Sequence, residues 1–84
     1  MSNWTDKVAI VTGGSSGLGL AIARALAAEK AKVVIVARDA DRLQAAARQI
    51  AATGIAADVT RQEDVVRLVN TVVGEQGQLD LLVN

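Results

Sequence analysis

Apolar residues are distributed along this chain in two alternating patterns. Short continuous runs rich in Val, Ile and Leu are typical of strands buried on both faces. Between these runs, apolar residues recur every three or four positions, which is typical of helices with one buried side. The runs predict four strands, at residues 7–11, 32–37, 53–57 and 79–83, of which the third is the weakest.

The three segments between the predicted strands carry the helical stripes. The first predicted helix covers residues 18–29. Lys30 stands where glycine usually follows a helix, so a left-handed backbone there would cost about 1 kcal/mol. The predicted apolar positions are Leu18, Ile22, Ala25 and Leu26 in the first helix, Leu43, Ala46, Ala47 and Ile50 in the second, and Val65, Leu68, Val69 and Val72 in the third.

Polar residues and glycines predict where the later helices begin and end. Asp39 is placed to cap the second helix with its carboxylate. Thr60 and Glu63 have the spacing of a capping box, in which the hydroxyl and the carboxylate each accept from a free N–H. Gly74 and Gly77 predict the end of the third helix.

Alternation of strands and helices predicts an α/β fold with a parallel sheet, in the order β-α-β-α-β-α-β. With right-handed crossovers and strand order 3-2-1-4, the first two helices cover one face and the third covers the other alone. The fourth strand is then an apolar edge open to further pairing. We therefore expect residues 1–84 to form the N-terminal half of a single doubly wound domain.

Composition and charge exclude several function classes. The chain has neither Cys nor His, which excludes disulfides, the usual zinc ligands and a Ser-His-Asp relay. Nine basic and nine acidic residues cancel and are scattered, so no nucleic acid or membrane partner is expected. The N-terminus lacks the layout of a secretion signal and no run spans a membrane, so we expect a soluble, cytoplasmic protein.

Glycines are concentrated in the turn between the first strand and the first helix. A phosphate group bound at a helix start needs backbone within touching distance, which a Cβ would prevent. Gly13, Gly17 and Gly19 have the roles this requires: a tight turn, close approach to a ligand, and close packing of helix on strand. Ser15 and Ser16 add hydroxyl donors beside the same position.

The spacing of these glycines excludes a P-loop. Gly14 and Gly19 are separated by four residues, but Leu20 and Ala21 follow where a P-loop has Lys and Ser or Thr. The G-x-G-x-x-G fingerprint is also absent.

Three stretches together resemble the short-chain dehydrogenase/reductase family. Residues 12–19 (TGGSSGLG) are similar to its glycine-rich loop, and residues 58–60 (DVT) to its segment after the third strand. Residues 79–84 (LDLLVN) are similar to the start of its Leu-Val-Asn-Asn-Ala-Gly stretch. The resemblance covers nearly the whole chain and implies a Rossmann-like domain that binds a nicotinamide dinucleotide. A glycine-rich turn that serves only backbone geometry is the alternative.

The resemblance also implies roles for particular residues. Asp58 would accept from the adenine amino group with the backbone of Val59 beside it; alternatively, Asp58 only binds loop N–H groups at a strand end. The cofactor-binding residues so implied are Gly13, Ser15, Ser16, Gly17, Leu18, Gly19, Arg38, Asp58 and Val59.

The end of the second strand predicts which dinucleotide is bound. An acidic residue there would bind the ribose 2′-hydroxyl and select NAD, but the position is occupied by Ala37 and followed by Arg38. A guanidinium suits a 2′-phosphate, and family members with Arg here tend to use NADP. NADP is therefore predicted over NAD. Two alternatives stay open. Asp39 turns toward the ribose, or Arg38 is only a solvated loop residue.

The family's catalytic Tyr and Lys have no counterpart here, because the chain contains no tyrosine. No carboxylates are paired for acid–base work, so no catalytic residue is assigned. We expect an NADP-dependent oxidoreductase acting on a small carbonyl or alcohol, as a homo-oligomer in its complete form. The 84 residues alone are expected to be inactive, to bind NADPH weakly or not at all, and to self-associate through the fourth strand. A dinucleotide-binding module without catalysis and an inactive truncated fragment are the alternatives.

Overall fold

A computed structural model describes residues 4–84, so residues 1–3, on which the expected absence of a secretion signal partly rests, lie outside the described part. All four strands are parallel and their order is β3-β2-β1-β4, as predicted. The elements are β1 (Val8–Thr12), α1 (Gly17–Ala28), β2 (Lys32–Ala37), α2 (Ala40–Ile50), β3 (Thr53–Ala56), α3 (Gln62–Gln76) and β4 (Leu81–Val83).

The sheet separates two hydrophobic clusters because successive strand residues point to opposite faces. The helices α1 and α2 cover one face and α3 covers the other, which confirms the predicted layers. The first cluster contains Ala9, Val11, Ala23, Leu26, Val33, Ile35, Leu43, Ala46, Ala47 and Ile50. The second contains Val8, Ile10, Val34, Val36, Ala57, Leu68 and Val72.

The predicted apolar face of α1 is partly wrong. Leu18 is 77% exposed and Ala25 is also exposed, whereas Ala23 and Leu26 are the buried residues of this helix. The helix therefore packs its small residue Ala23 against the sheet, which lets the two backbones approach closely. Lys30 adopts the left-handed conformation, with φ of 72°.

The predicted capping box of α3 does not form. The Thr60 hydroxyl instead donates to Asp58 Oδ1 at 2.6 Å, and Glu63 pairs with Arg61 at 2.7 Å. Asp64 Oδ2 accepts the backbone N–H of Asp58 at 2.9 Å. The turn between β3 and α3 is thus closed by side-chain bonds within the turn and from the first turn of α3, which compete with capping.

The third helix also ends later than one of its two glycines predicts. Gly74 lies inside α3, and the helix ends at Gly77, which has φ of 80°. The second helix ends at Ala51, which is left-handed with φ of 57°. This one-residue reversal explains how α2 connects to β3 through so few residues.

The edge strand β4 is shorter than predicted and is tied to β1 by Asp80. The Asp80 N–H donates to Val8 O at 2.9 Å, and Val8 N–H donates to Asp80 Oδ2 at 2.8 Å. The bond from the Val8 N–H, and a further one from the Gln78 amide, lower the pKa of the Asp80 carboxyl; the positive charge of Lys7 acts in the same direction. Asp80 is therefore a carboxylate at neutral pH and sets the start of the β1–β4 pairing.

Substituting Asp80→Asn is expected to lower the melting temperature at neutral pH. Because the pKa of Asp80 is lowered in the folded state, its carboxylate stabilises the fold above the unfolded-state pKa. That contribution is lost as the pH falls through the folded-state pKa. The melting temperatures of wild type and variant should therefore converge in acid, as measured by circular dichroism.

Asp41→Asn is the matched control, since Asp41 lies in the first turn of α2 and accepts no side-chain hydrogen bond within residues 4–84. A difference between Asp80→Asn and wild type that is the same at every pH would contradict the role assigned to the Asp80 charge.

Candidate cofactor-binding site

The carboxyl ends of β1, β2 and β3 meet along one edge of the sheet and border an open groove of about 350 Å³. We call it the strand-end groove. Three loops contribute to it: the glycine-rich turn, the β2–α2 connection and the β3–α3 connection. Its lining residues are Gly13, Val36, Ala37, Arg38, Ala57, Asp58, Val59 and Thr60.

Two glycines of the turn have backbone conformations that favour glycine. Gly13 has φ of 69° and Gly17 has φ of 59°. A Cβ at either position would meet no atom within 4 Å, so the space beside this backbone is open. The Gly13 N–H donates to Val36 O at 2.8 Å, which ties the turn to β2. Both positions thus combine a conformation suited to glycine with access for a ligand.

Two other glycines are required by close packing. A Cβ at Gly19 would clash with the carbonyl oxygen of Gly13 and lie 2.9 Å from its carbonyl carbon. A Cβ at Gly14 would lie 2.7 Å from Cγ2 of Ile35 in the buried strand β2. The role of Gly14 was missed by sequence reasoning. Its doublet with Gly13, directly after a buried strand, was the available signal.

The N-terminus of α1 differs electrostatically from those of the other two helices. Ser16, the N-cap of α1, makes no capping bond, and the first turn of α1 contains no acidic residue. The helix α2 is capped by Asp39, and α3 has Glu63 and Asp64 in its first turn. Among the three helices in residues 4–84, α1 thus keeps its positive N-terminal potential and free N–H groups available for an anion.

Asp58 is an ionised hydrogen-bond acceptor at the groove. Bonds from the Thr60 hydroxyl and the Thr60 N–H lower the pKa of the Asp58 carboxyl, and the positive charges of Arg38 and Arg61 act in the same direction. Both bonds go to Oδ1, and no donor within residues 4–84 contacts Oδ2. Asp58 therefore holds the local turn and retains a carboxylate oxygen for a ligand.

Arg38 and Asp39 are adjacent in the chain, but their side chains have different roles. Arg38 is exposed, lines the strand-end groove and takes part in no ion pair within residues 4–84. Asp39 Oδ1 accepts the backbone N–H of Arg42 at 3.2 Å, which confirms that it caps α2.

The remaining predicted site residues do not all face the same groove. Val59 lines the strand-end groove and is 41% exposed. Ser16 is exposed, as is the side chain of Leu18 beside the turn. Ser15 lines a second groove of about 520 Å³, which we call the interhelical groove. Its lining residues are Ser15, Leu20, Arg42, Ala45, Ala46, Arg48 and Gln49.

The turn with its free α1 N-terminus, bordered by the strand-end groove, has the layout of a dinucleotide site on a parallel sheet. A family model described as short chain dehydrogenase matches residues 7–84. The chain belongs to the short-chain dehydrogenase/reductase family. An uncharacterized oxidoreductase of Staphylococcus aureus (strain MRSA252) is 42% identical, the match covering 100% of this chain and 38% of that protein.

Other members of the family agree in sequence and in structure. An uncharacterized oxidoreductase of Mycobacterium tuberculosis is 45% identical over 94% of this chain and 32% of its own length. The citronellol catabolism dehydrogenase of Pseudomonas aeruginosa superposes with a TM-score of 0.94 at 37% identity, covering 98% of this chain and 36% of that one. A metagenomic short-chain oxidoreductase in complex with NADP superposes with a TM-score of 0.91 at 36% identity, covering 96% of this chain and 39% of that one.

The chain thus spans less than two fifths of the length of these relatives. Within residues 4–84, no group of three or more His, Cys, Asp or Glu side chains is arranged to hold a metal ion. None of the helices in this part of the chain has the length and apolar character needed to cross a bilayer.

Proposed function

We propose that this chain is the cofactor-binding part of an NADP(H)-dependent oxidoreductase. The observation that carries the proposal is the strand-end groove, where Gly13, Arg38 and Asp58 converge beside the uncapped start of α1. A nicotinamide dinucleotide bound there supplies a hydride acceptor or donor for an alcohol or carbonyl substrate.

The residues of the turn fit the diphosphate of such a cofactor. The open space beside Gly13 and Gly17 lets a phosphate approach the backbone. The free N–H groups and the positive end of α1 favour its negative charge. Gly19 lets α1 lie against the Gly13 carbonyl, which positions those N–H groups.

The charges at the groove favour NADP over NAD. Ala37 occupies the position from which an acidic side chain would bind the ribose 2′-hydroxyl. The neighbouring Arg38 presents a guanidinium that has no ion-pair partner among residues 4–84. Asp39 caps α2 through Oδ1, so one of its two carboxylate oxygens is already engaged and does not bind the ribose. The similarity to an oxidoreductase crystallised with NADP supports the same choice.

Substrate chemistry is proposed from family membership. The substrate is a small carbonyl or alcohol, and the complete protein acts as a homo-oligomer in the cytoplasm. Dinucleotide binding without catalysis is the second candidate.

Substituting Asp58→Ala is expected to weaken binding of both NADP and NAD about tenfold, because the adenine amino group common to both loses its carboxylate partner. Fluorescence titration with NADPH and NADH measures this, using the protein in the full form its gene encodes. Thr60→Val is the matched control for the turn, since it removes the hydroxyl bond to Asp58 Oδ1 and keeps the carboxylate.

A second control, Asp39→Asn, keeps the α2 cap, because Asn caps as well as Asp, and removes the competing charge. It should not weaken NADP binding. Equal losses in Asp58→Ala and Thr60→Val would show that only the order of the turn matters, and a loss in Asp39→Asn would move the ribose contact to that residue.

A further inference from the structure

The interhelical groove lies next to the strand-end groove along the glycine-rich turn. Gly13 lines the strand-end groove and Ser15 lines the interhelical groove, with only the buried Gly14 between them in the chain. A ligand group that rests on the outer edge of this turn is therefore bordered by both grooves. The interhelical groove is lined by Arg42, which lies in the first turn of α2 next to Asp41.

Arg42 is held near this edge by the start of α2. Its backbone N–H donates to the capping carboxylate of Asp39, which fixes the first turn of the helix. Its guanidinium is exposed and takes part in no ion pair within residues 4–84, where the ion pairs are Arg61–Glu63 and Arg67–Asp64. An unpaired guanidinium with five donors is suited to a phosphate oxygen.

Arg38 and Arg42 therefore lie on the two sides of the same helix start. Arg38 precedes the cap and faces the strand-end groove, whereas Arg42 follows the cap and lines the interhelical groove. A phosphate monoester carries negative charge that guanidinium groups can bind, whereas a neutral ribose hydroxyl gains no ionic contact from them.

We propose that Arg42, with Ser15 beside it, is a second residue that selects NADP by binding the 2′-phosphate from the interhelical groove. This inference rests on the proposed function, because it assigns a further contact at the same cofactor site. It gives the 2′-phosphate two arginines and the diphosphate the backbone of the turn.

The test compares Arg42→Ala with Arg48→Ala in the protein's full encoded form. Arg48 lines the same groove and lies in the same helix, so both variants remove one positive charge and add alanine to α2. Dissociation constants for NADP, NAD, 2′,5′-ADP and 5′-ADP are measured by calorimetry. We expect Arg42→Ala to weaken the binding of NADP and 2′,5′-ADP about tenfold and to leave the binding of NAD and 5′-ADP unchanged.

Arg48→Ala should leave all four constants close to those of wild type, and Arg42→Lys should recover part of the lost affinity. If Arg42→Ala and Arg48→Ala lose the same affinity for NADP, the loss is explained by net positive charge alone. That result would overturn the contact proposed between Arg42 and the 2′-phosphate. A loss for NAD equal to that for NADP would place Arg42 on the diphosphate and overturn it as well.

The wild-type constants separate this inference from the function on which it rests. Wild type that binds NAD as tightly as NADP would overturn the proposed cofactor preference whatever Arg42 does. Wild type that binds neither dinucleotide would overturn the proposed function, and the role of Arg42 with it. A ratio of NADP to NAD affinity that is the same in wild type and in Arg42→Ala would overturn the Arg42 role alone.

Discussion

Replacing Gly19 with alanine is expected to lower the free energy of unfolding by about 3 kcal/mol. The added Cβ would clash with the Gly13 carbonyl oxygen, and neither atom can move without shifting the backbone of the turn or of α1. The same shift would displace the N–H groups proposed to hold the diphosphate, so NADPH affinity should fall as well. Urea unfolding and fluorescence titration measure the two effects.

Gly74→Ala is the matched control because Gly74 also lies inside a helix and its Cβ would meet no atom within 4 Å. Alanine is favoured over glycine in a helix by about 1 kcal/mol, so Gly74→Ala should stabilise the protein. A Gly19→Ala variant that is as stable as wild type, or more so, would show that the contact with Gly13 does not constrain the turn.

Substituting Arg38→Asp is expected to weaken NADP binding about a hundredfold and to shift the preference toward NAD. The change removes the proposed donor to the 2′-phosphate and puts a repelling carboxylate in its place. That carboxylate can accept from the 2′-hydroxyl of NAD, which is the arrangement that selects NAD on this type of sheet. The ratio of the two dissociation constants is the measurement.

Arg24→Asp is the control for net charge, since Arg24 is exposed on α1 and lines neither the strand-end groove nor the interhelical groove. It should leave the ratio of NADP to NAD affinity unchanged. If Arg38→Asp also leaves this ratio unchanged, Arg38 has no part in choosing the cofactor and remains a solvated residue of the loop.

Several residues of the candidate site could be predicted from the sequence because they directly follow predicted strands. Arg38 directly follows β2 and Asp58 follows β3, and parallel strands bring their carboxyl ends to one edge. The sequence therefore predicted that these residues would lie near Gly13, and the strand-end groove brings all three together. The side on which Ser15 lies was not predictable, because it depends on how the turn passes between α1 and α2.

Local hydrogen bonding was the least predictable feature. Thr60 and Glu63 have the spacing of a capping box, yet Thr60 binds Asp58 and Glu63 binds Arg61. Several short polar side chains within one turn offer alternative partners of similar energy, and the backbone path of the turn selects among them. That path is constrained at one end by β3, which is held in place by its pairing with β2, an element distant from the motif in the chain.

By itself, the sequence determined the order of strands and helices, the parallel sheet and the layers on its two faces, because apolar periodicity and crossover handedness leave few arrangements. Tertiary structure alone decided that Ala23 rather than Leu18 packs on the sheet and that Gly14 must accommodate Ile35. It also decided that Asp58 Oδ2 meets no donor in the part of the chain that the structure describes. These outcomes depend on distances of a few tenths of an ångström between elements far apart in the chain, which no local pattern encodes.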